Sequence, residues 1–388
     1  MNPSRNLRHQ KKKIPVRKAM LLVGREQIGG AEKRYGRVFL YASARDTNLF
    51  LIINQVLYES LLKHGIRLDK SKNVFLITGN HYANPSFAHM MLSGLRLYHT
   101  VARLIDRHNI NQLHSMGFLF LLNALLFLRK KKVYKGFSIF DSTLDQNLNS
   151  GALRALFKSA VKNSDYVEFL SDEIKESFLK RYGDIFNGNY FVAPCSFIDY
   201  SRCEPTGVGK KNRIVFMGRL IKDKNPSLLL KAVPSVLRHL GDKHKDIDFC
   251  IVGDGPLLKS LKEQVEQLRI ENHVTFMHCY APERLLWESK IFVSLQEVNN
   301  YPSQSLIEAM ACENAIIATD VGETWKLVDE TVGVRVGKSC EDIATAIIAL
   351  FENPNKLTIL GKNARQKVLR EHTIGRYVDY FTRCLSRD

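Results

Sequence analysis

Residues 213–226 read Arg-Ile-Val-Phe-Met-Gly-Arg-Leu-Ile-Lys-Asp-Lys-Asn-Pro: an apolar strand, a glycine, then a basic loop that stops on proline. The same pattern recurs downstream. Asp248-Phe-Cys-Ile-Val252 runs into Gly253-Asp254-Gly255-Pro256. A later apolar run ends in Ala318-Thr-Asp-Val-Gly-Glu-Thr324, and between these lies Asn300-Tyr-Pro-Ser-Gln-Ser-Leu-Ile-Glu308-Ala-Met-Ala311. Each piece is a strand followed by a loop and the start of a helix. That alternation predicts a parallel sheet with helices on both faces, whose ligands gather outside the carboxyl ends of the strands.

Working outward, strands are expected near 213–217, 248–252, 273–276, 290–295, 314–318 and 332–336. Helices are expected near 226–239, 256–269, 303–312, 355–370 and 373–386. Upstream, Asp199 to Lys211 is polar and holds Pro205, Gly207 and Gly209, which marks a linker. Before it a second strand–helix series runs through Ala19–Val23, Val74–Thr78, Val133–Ile139, Tyr166–Leu170 and Tyr190–Ala193, with a further strand at Gln112–Ser115. A chain of 388 residues exceeds what one core usually holds. The expected plan is a basic arm (1–18), an N-terminal domain (19–200), a linker (201–211), a C-terminal domain (212–370) and a last helical segment (371–388).

Composition is that of a globular protein, 45% hydrophobic and 25% charged. The seven cysteines are scattered with no CxxC pair, which favours a reducing, cytoplasmic setting. The basic N-terminus lacks an apolar core with a cleavage site, so no signal peptide is expected. No apolar stretch reaches the roughly 18 residues of a membrane span. The nearest is Met116 to Leu128, broken by Asn123 and followed by Arg129-Lys-Lys-Lys132. It reads either as a buried helix or as a segment that dips into a membrane surface.

The net charge of +18 is unevenly placed. Residues 1–140 hold 24 Lys+Arg against 6 Asp+Glu, and residues 141–388 hold 33 against 33. The whole excess lies in the first part, which suggests an anionic partner: a membrane surface, a phosphate-bearing lipid acceptor, or nucleic acid. A merely solvated basic surface is the plain alternative. No RNA-recognition motif, zinc finger or basic-helix signature accompanies the charge, so nucleic acid is not expected. Asp246-Ile-Asp248 starts a strand, the wrong end for a ligand site, and no cluster has metal-ligand spacing, so no metal is expected.

The loops carry phosphate chemistry. The planar fork of Arg219 can chelate a diphosphate, and Lys224 adds a compact charge. Ser303, Gln304 and Ser305 lie where a helix begins, and helix N-termini attract phosphate. Taken alone, Ser305-x-x-Glu308 is also a capping box.

In this order and at this spacing, the segments resemble the donor-binding half of nucleotide-sugar glycosyltransferases of the two-Rossmann-domain (GT-B) type, most closely the retaining family 4. The resemblance implies an α/β fold of two Rossmann-like domains with parallel sheets facing each other across a cleft, the last helix crossing back onto the first domain. It implies transfer of a sugar from a nucleotide-diphosphate donor to a glycan or lipid-linked acceptor, with retention of configuration and no cofactor beyond the donor. A nucleotide-sugar-binding protein that has lost its chemistry is the alternative. Implied donor contacts are Gly218, Arg219 and Lys224 at the diphosphate, Glu308 at the ribose hydroxyls, and Asn300, Tyr301, Ser303, Gln304 and Ser305 around them. Gly29-Gly30 would turn its amides to the donor phosphates and the acceptor, and Gly322 would let backbone approach the donor.

Two positions depart from that family's pattern. Its first acidic residue, eight before Glu308, is Asn300 here; Glu297 is the nearest substitute. Its mid-domain histidine corresponds to Asp141, a catalytic position where a carboxylate accepts a sugar hydroxyl or acts as base. His114 resembles a family histidine at the cleft, although a lone histidine beside an apolar run is more often structural. The expected location is the cytoplasm, with peripheral attachment to the inner face of the cytoplasmic membrane as the corollary of the basic N-terminal portion.

Overall fold

The computed structural model describes residues 16–24, 28–68, 73–78, 87–116, 120–126, 133–140, 151–183, 185–205, 207–241, 243, 246–279 and 281–385. Asp141 and residues 1–15 of the expected basic arm lie outside the described residues.

The chain builds two all-parallel sheets. In the first, β1 (Lys18–Leu22), β2 (Leu49–Asn54), β3 (Val74–Ile77), β4 (Gln112–Met116), β5 (Tyr134–Ile139), β6 (Tyr166–Phe169) and β7 (Tyr190–Val192) lie in the order 3-2-1-4-5-6-7. In the second, β8 (Lys211–Met217), β9 (Asp248–Val252), β10 (Val274–Met277), β11 (Ser289–Ser294), β12 (Ala315–Thr319) and β13 (Gly333–Val336) lie in the order 10-9-8-11-12-13. Both orders reverse beside the first strand of their domain, which opens a crevice at the carboxyl edge. The central strands are apolar without a break, as they must be when helices cover both faces. Ile214, Val215, Phe249, Ile251, Ile291, Ile316 and Ile317 are all fully buried.

Several elements, the short helix Glu283–Trp287 among them, were not expected from the sequence. β2 runs directly into a helix, Gln55–Lys63, with no intervening breaker, so its apolar residues merge with the helix pattern. The helix Cys340–Glu352 starts at a serine cap, Ser339 Oγ accepting from the Asp342 amide, and packs against the helix Pro226–Leu240. The expected linker also contracts. β8 already begins at Lys211, and Cys203 is buried rather than solvated. Lys210 explains the anchoring: its ammonium donates to the carbonyls of Ser289 (2.8 Å), Cys312 (2.9 Å) and Trp287 (3.2 Å), while burial lowers its pKa to about 8.

The short helix Phe120–Leu125 settles the described part of the apolar run. Leu122, Asn123 and Ala124 are buried, and Asn123 Nδ2 donates to Ser115 Oγ at 2.8 Å. An asparagine satisfied from β4 belongs in a protein interior.

The final helix, Ile374–Cys384, lies on the first sheet, and a buried polar chain fastens it there. Glu168 on β6 accepts from Tyr35 Oη (2.6 Å), from Ser138 Oγ and from Tyr377 Oη (2.9 Å). His114 joins the chain, Nε2 to Ser138 Oγ at 2.7 Å and Nδ1 to Tyr166 Oη at 2.8 Å. One proton arrangement satisfies every atom: Tyr166 donates to His114 Nδ1, Nε2–H to Ser138, and the three hydroxyls to Glu168. It requires a neutral ring, and burial indeed lowers the His114 pKa to about 4. Ser138, His114 and Glu168 are 4%, 1% and 1% exposed, so this Ser–His–Glu chain fastens a helix and meets no substrate. His114 sits inside β4 as core, the structural alternative given for it from the sequence.

Candidate active site

The edge where the motifs gather is built by turns that leave no room for side chains. After β8, Leu220 N donates to Asp254 O (2.9 Å) and Leu257 N to Leu220 O (3.1 Å), zipping the loop 218–224 to the loop 253–257. Gly253 and Gly255 have φ of 144° and 158°, and a Cβ on either would overlap the carbonyl oxygens of Gly218 and Leu220. Asp254 Oδ1 accepts from the Gly255 amide at 2.7 Å, a turn-building role. Gly218 itself faces open space.

The two cations of that loop differ. Arg219 is exposed, and its guanidinium makes no hydrogen bond or ion pair with a described residue. Lys224 is half-buried and donates to Gln296 Oε1 at 2.9 Å. Arg219 is therefore the more available partner for an incoming anion. Asn225 then takes a left-handed turn, φ 47°, into Pro226 at the start of its helix.

The segment after β11 carries the other predicted contacts. Asn300 is half-buried. Glu297, its possible substitute, is engaged elsewhere: it accepts from Asn225 Nδ2, pairs with Lys338 Nζ at 3.5 Å, and its carbonyl accepts from the same lysine at 2.8 Å. Burial raises the Tyr301 phenol to about 12, so it keeps its proton at neutral pH. Ser303 is the N-cap of the helix Gln304–Ala311, and its Oγ lies 3.3 Å from Ser305 Oγ. The capping-box reading of Ser305 and Glu308 is not realised, because the helix begins before Ser305.

Gln304 turns away from the expected donor. Its amide donates to Ser196 Oγ and, at 3.1 Å, to Phe197 O, both in the first domain. Its Cγ lies 2.6 Å from where a Gly30 Cβ would stand, so Gly30 exists to let the helix Gly30–Ser43 meet the helix Gln304–Ala311 end to end. Two helix N-termini thus converge at one point of the cleft, each with free amides suited to phosphate. One amide is already taken: Gly29 N donates to Glu32 Oε2 at 2.9 Å.

Glu308 faces the first domain. Burial raises its carboxyl above the usual range, while Lys33 and Arg37 of the helix Gly30–Ser43 pull it back. Burial in turn lowers Lys33 and Arg37, and Glu308 opposes both shifts. Neither cation forms an ion pair with a described residue, and Arg37 Nη1 is buried without a hydrogen-bond partner among the described residues. Sequence reading missed these two residues. Their spacing of four behind Gly29-Gly30 puts both on one helix face, which is the signal that was available.

The cleft is closed at its other side by charge. Lys326 Nζ pairs with Asp172 Oδ2 of the helix Asp172–Tyr182 at 3.0 Å, and the Glu173 amide donates to Glu323 Oε2 at 3.2 Å. Gly322 (φ 51°) abuts Asn299 and Glu173, where a Cβ would collide with both. No group of three or more His, Cys, Asp or Glu able to hold a metal occurs among the described residues.

Residues 203–367 match the model of the family described as glycosyl transferases group 1. That stretch resembles a group 1 glycosyl transferase domain. It holds Gly218, Arg219, Lys224 and the segment Asn300–Glu308, and it accounts for a little under half of the chain. The whole chain has the GT-B fold: it superposes on Anabaena HepE in complex with UDP and glucose with a TM-score of 0.74, covering 96% of this chain and 100% of that one at 16% identity. The GPI3 subunit of phosphatidylinositol N-acetylglucosaminyltransferase from Saccharomyces cerevisiae is 26% identical over 187 residues, 45% of this chain and 40% of the yeast protein. An alpha-1,4-N-acetyl-D-galactosaminyltransferase of Campylobacter jejuni, whose name specifies an undecaprenol-linked acceptor, is 29% identical over 198 residues, 50% of this chain and 51% of that protein. The chain therefore spans about half or less of the length of these two curated relatives.

Proposed function

We propose that this protein is a retaining, family 4-like glycosyltransferase that moves a sugar from a nucleotide-diphosphate donor to a glycan or lipid-linked acceptor. The observation that carries the reading is Arg219, exposed and unpaired among the described residues at the carboxyl edge of β8, beside two converging helix N-termini and inside the stretch that matches the group 1 model. The relatives named above for sugar transfer to phosphatidylinositol and to an undecaprenol-linked acceptor support the acceptor class.

In this reading the diphosphate lies against Arg219, Lys224 and the amides at Gly30 and Ser303–Ser305, and Glu308 takes the ribose hydroxyls. Lys33 and Arg37 add positive charge from the first domain. The bond from the anomeric carbon to the phosphate oxygen breaks with its electron pair staying on the diphosphate. The acceptor oxygen bonds to that carbon from the same face, which is what retention requires. Attack from that face places the acceptor hydroxyl beside the leaving oxygen, and its proton passes there. The cations stabilise the charge that develops, so no metal is called for. Asp141 is assigned to a hydroxyl of the transferred sugar, and Asn300 to another.

A thermal-shift panel of UDP-, GDP-, ADP- and CMP-sugars tests donor binding. One nucleotide class should raise the melting temperature of the wild type by mass action, and Arg219→Ala should abolish the rise. No shift with any nucleotide contradicts the reading. A shift with no turnover on any acceptor pool would favour the degenerate binding protein, which Asn300 in place of a carboxylate motivates.

The basic excess within residues 1–140 motivates peripheral attachment to an anionic membrane on its cytoplasmic face, with the acceptor presented there. No helix among the described residues is long and apolar enough to cross a membrane. Purified protein should sediment with phosphatidylglycerol vesicles and not with phosphatidylcholine vesicles at physiological salt. Equal behaviour with both would sink the membrane assignment.

A further inference from the structure

The chain has two tryptophans, and they sit in opposite surroundings. Trp287 is 6% exposed, enclosed between Lys210 and Arg365, whose charged groups lie 5.5 and 5.3 Å from its ring centre. Trp325 is 54% exposed. It stands on the short turn Thr324–Lys326 that follows β12, at the same sheet edge as the loops after β8 and β11. Its neighbour Lys326 bridges to Asp172 of the first domain, so the ring stands at the mouth of the cleft.

Lys326 Nζ lies 5.7 Å from the Trp325 ring centre and 5.4 Å from that of Tyr301, and Asp172 and Glu323 pin the same ammonium. A clamped cation against one aromatic surface leaves the remainder of the ring open to water. Such a flat apolar face beside a hydrogen-bonding carboxylate matches the C–H face of a pyranose with its equatorial hydroxyls. The rim supplies an acceptor in Asp172, whose side chain is 46% exposed, while Glu323 is engaged by Lys326 and the Glu173 amide. The same carboxylates oppose an anionic membrane or a phosphate at this spot.

We propose that Trp325 is the stacking platform for a neutral sugar ring of the acceptor, seated at the cleft mouth with a hydroxyl on the exposed Asp172 carboxylate. This rests on the transferase reading above and adds to it a saccharide subsite outside the donor crevice.

Trp325 reports on itself, because it is the only one of the two tryptophans with a solvent-exposed ring. Emission of the wild type, excited at the red edge to spare the tyrosines, is titrated with chitobiose, lactose, maltose and methyl α-mannoside, in the presence and absence of UDP. At least one saccharide should give a saturable change that disappears in Trp325→Ala, where Trp287 alone remains. In that variant the saccharide Kd, read by calorimetry, should rise at least about tenfold, and the nucleotide-sugar thermal shift should persist. No response to any of the four saccharides, with the thermal shift intact, overturns the platform and leaves the donor reading standing. A response to nucleotide sugars but to no free saccharide assigns the ring to the donor sugar and overturns the acceptor subsite. Loss of the thermal shift in the wild type would instead be a failure of the donor reading.

Discussion

Arg219→Ala is expected to lower kcat by about 10²–10³-fold, the usual effect of deleting one preorganised donor at a developing charge. Arg219 is exposed and bonds to no described side chain, so its removal leaves the fold untouched and the melting temperature without nucleotide should not move. Lys224→Ala should cost less in turnover, since Lys224 already shares its ammonium with Gln296 Oε1. That lysine also braces the loop, so its loss should lower stability slightly. Steady-state rates with the donor identified by the thermal-shift panel decide the matter. Unchanged turnover in Arg219→Ala would remove the leaving-group role from this loop.

Glu168→Leu should destabilise the protein by about 3–5 kcal/mol. The substitution removes the acceptor shared by the hydroxyls of Tyr35, Ser138 and Tyr377 in a dry interior, where each hydroxyl left without a partner costs about 1–3 kcal/mol. Tyr377→Phe removes one donor only and should cost about 1–2 kcal/mol. The final helix depends on this anchor, so both variants should expose residues 374–384 to protease before the rest of the chain. Thermal melts and limited proteolysis read both effects. A Glu168→Leu protein that melts with the wild type would show that apolar packing of Tyr377, Phe381 and Val378 holds the helix without the polar chain.

Much of the fold was legible because parallel strands buried on both faces leave uninterrupted apolar runs, as in Arg213–Met217 and Asp248–Val252. The exceptions have local causes. Leu49–Asn54 passes into a helix without a breaker, and Cys340–Glu352 is announced by a single serine cap. The candidate site was legible where chemistry is local to a loop, as in Gly218–Lys224. It was not legible where the second domain intervenes. Nothing in the segment Ser303–Glu308 tells that Gln304 reaches Ser196 and Phe197, or that Glu308 faces Lys33 and Arg37 from a helix far away in sequence. The engagement of Glu297 by Asn225 and Lys338 is likewise a product of folding.

The most direct test of the donor assignment is a crystal structure with the nucleoside diphosphate that the thermal-shift panel selects. The diphosphate should lie within hydrogen-bonding distance of the Arg219 guanidinium and the Ser303–Ser305 amides, with a ribose hydroxyl on Glu308. A nucleotide bound elsewhere, or an empty crevice at saturating concentration, would contradict the account.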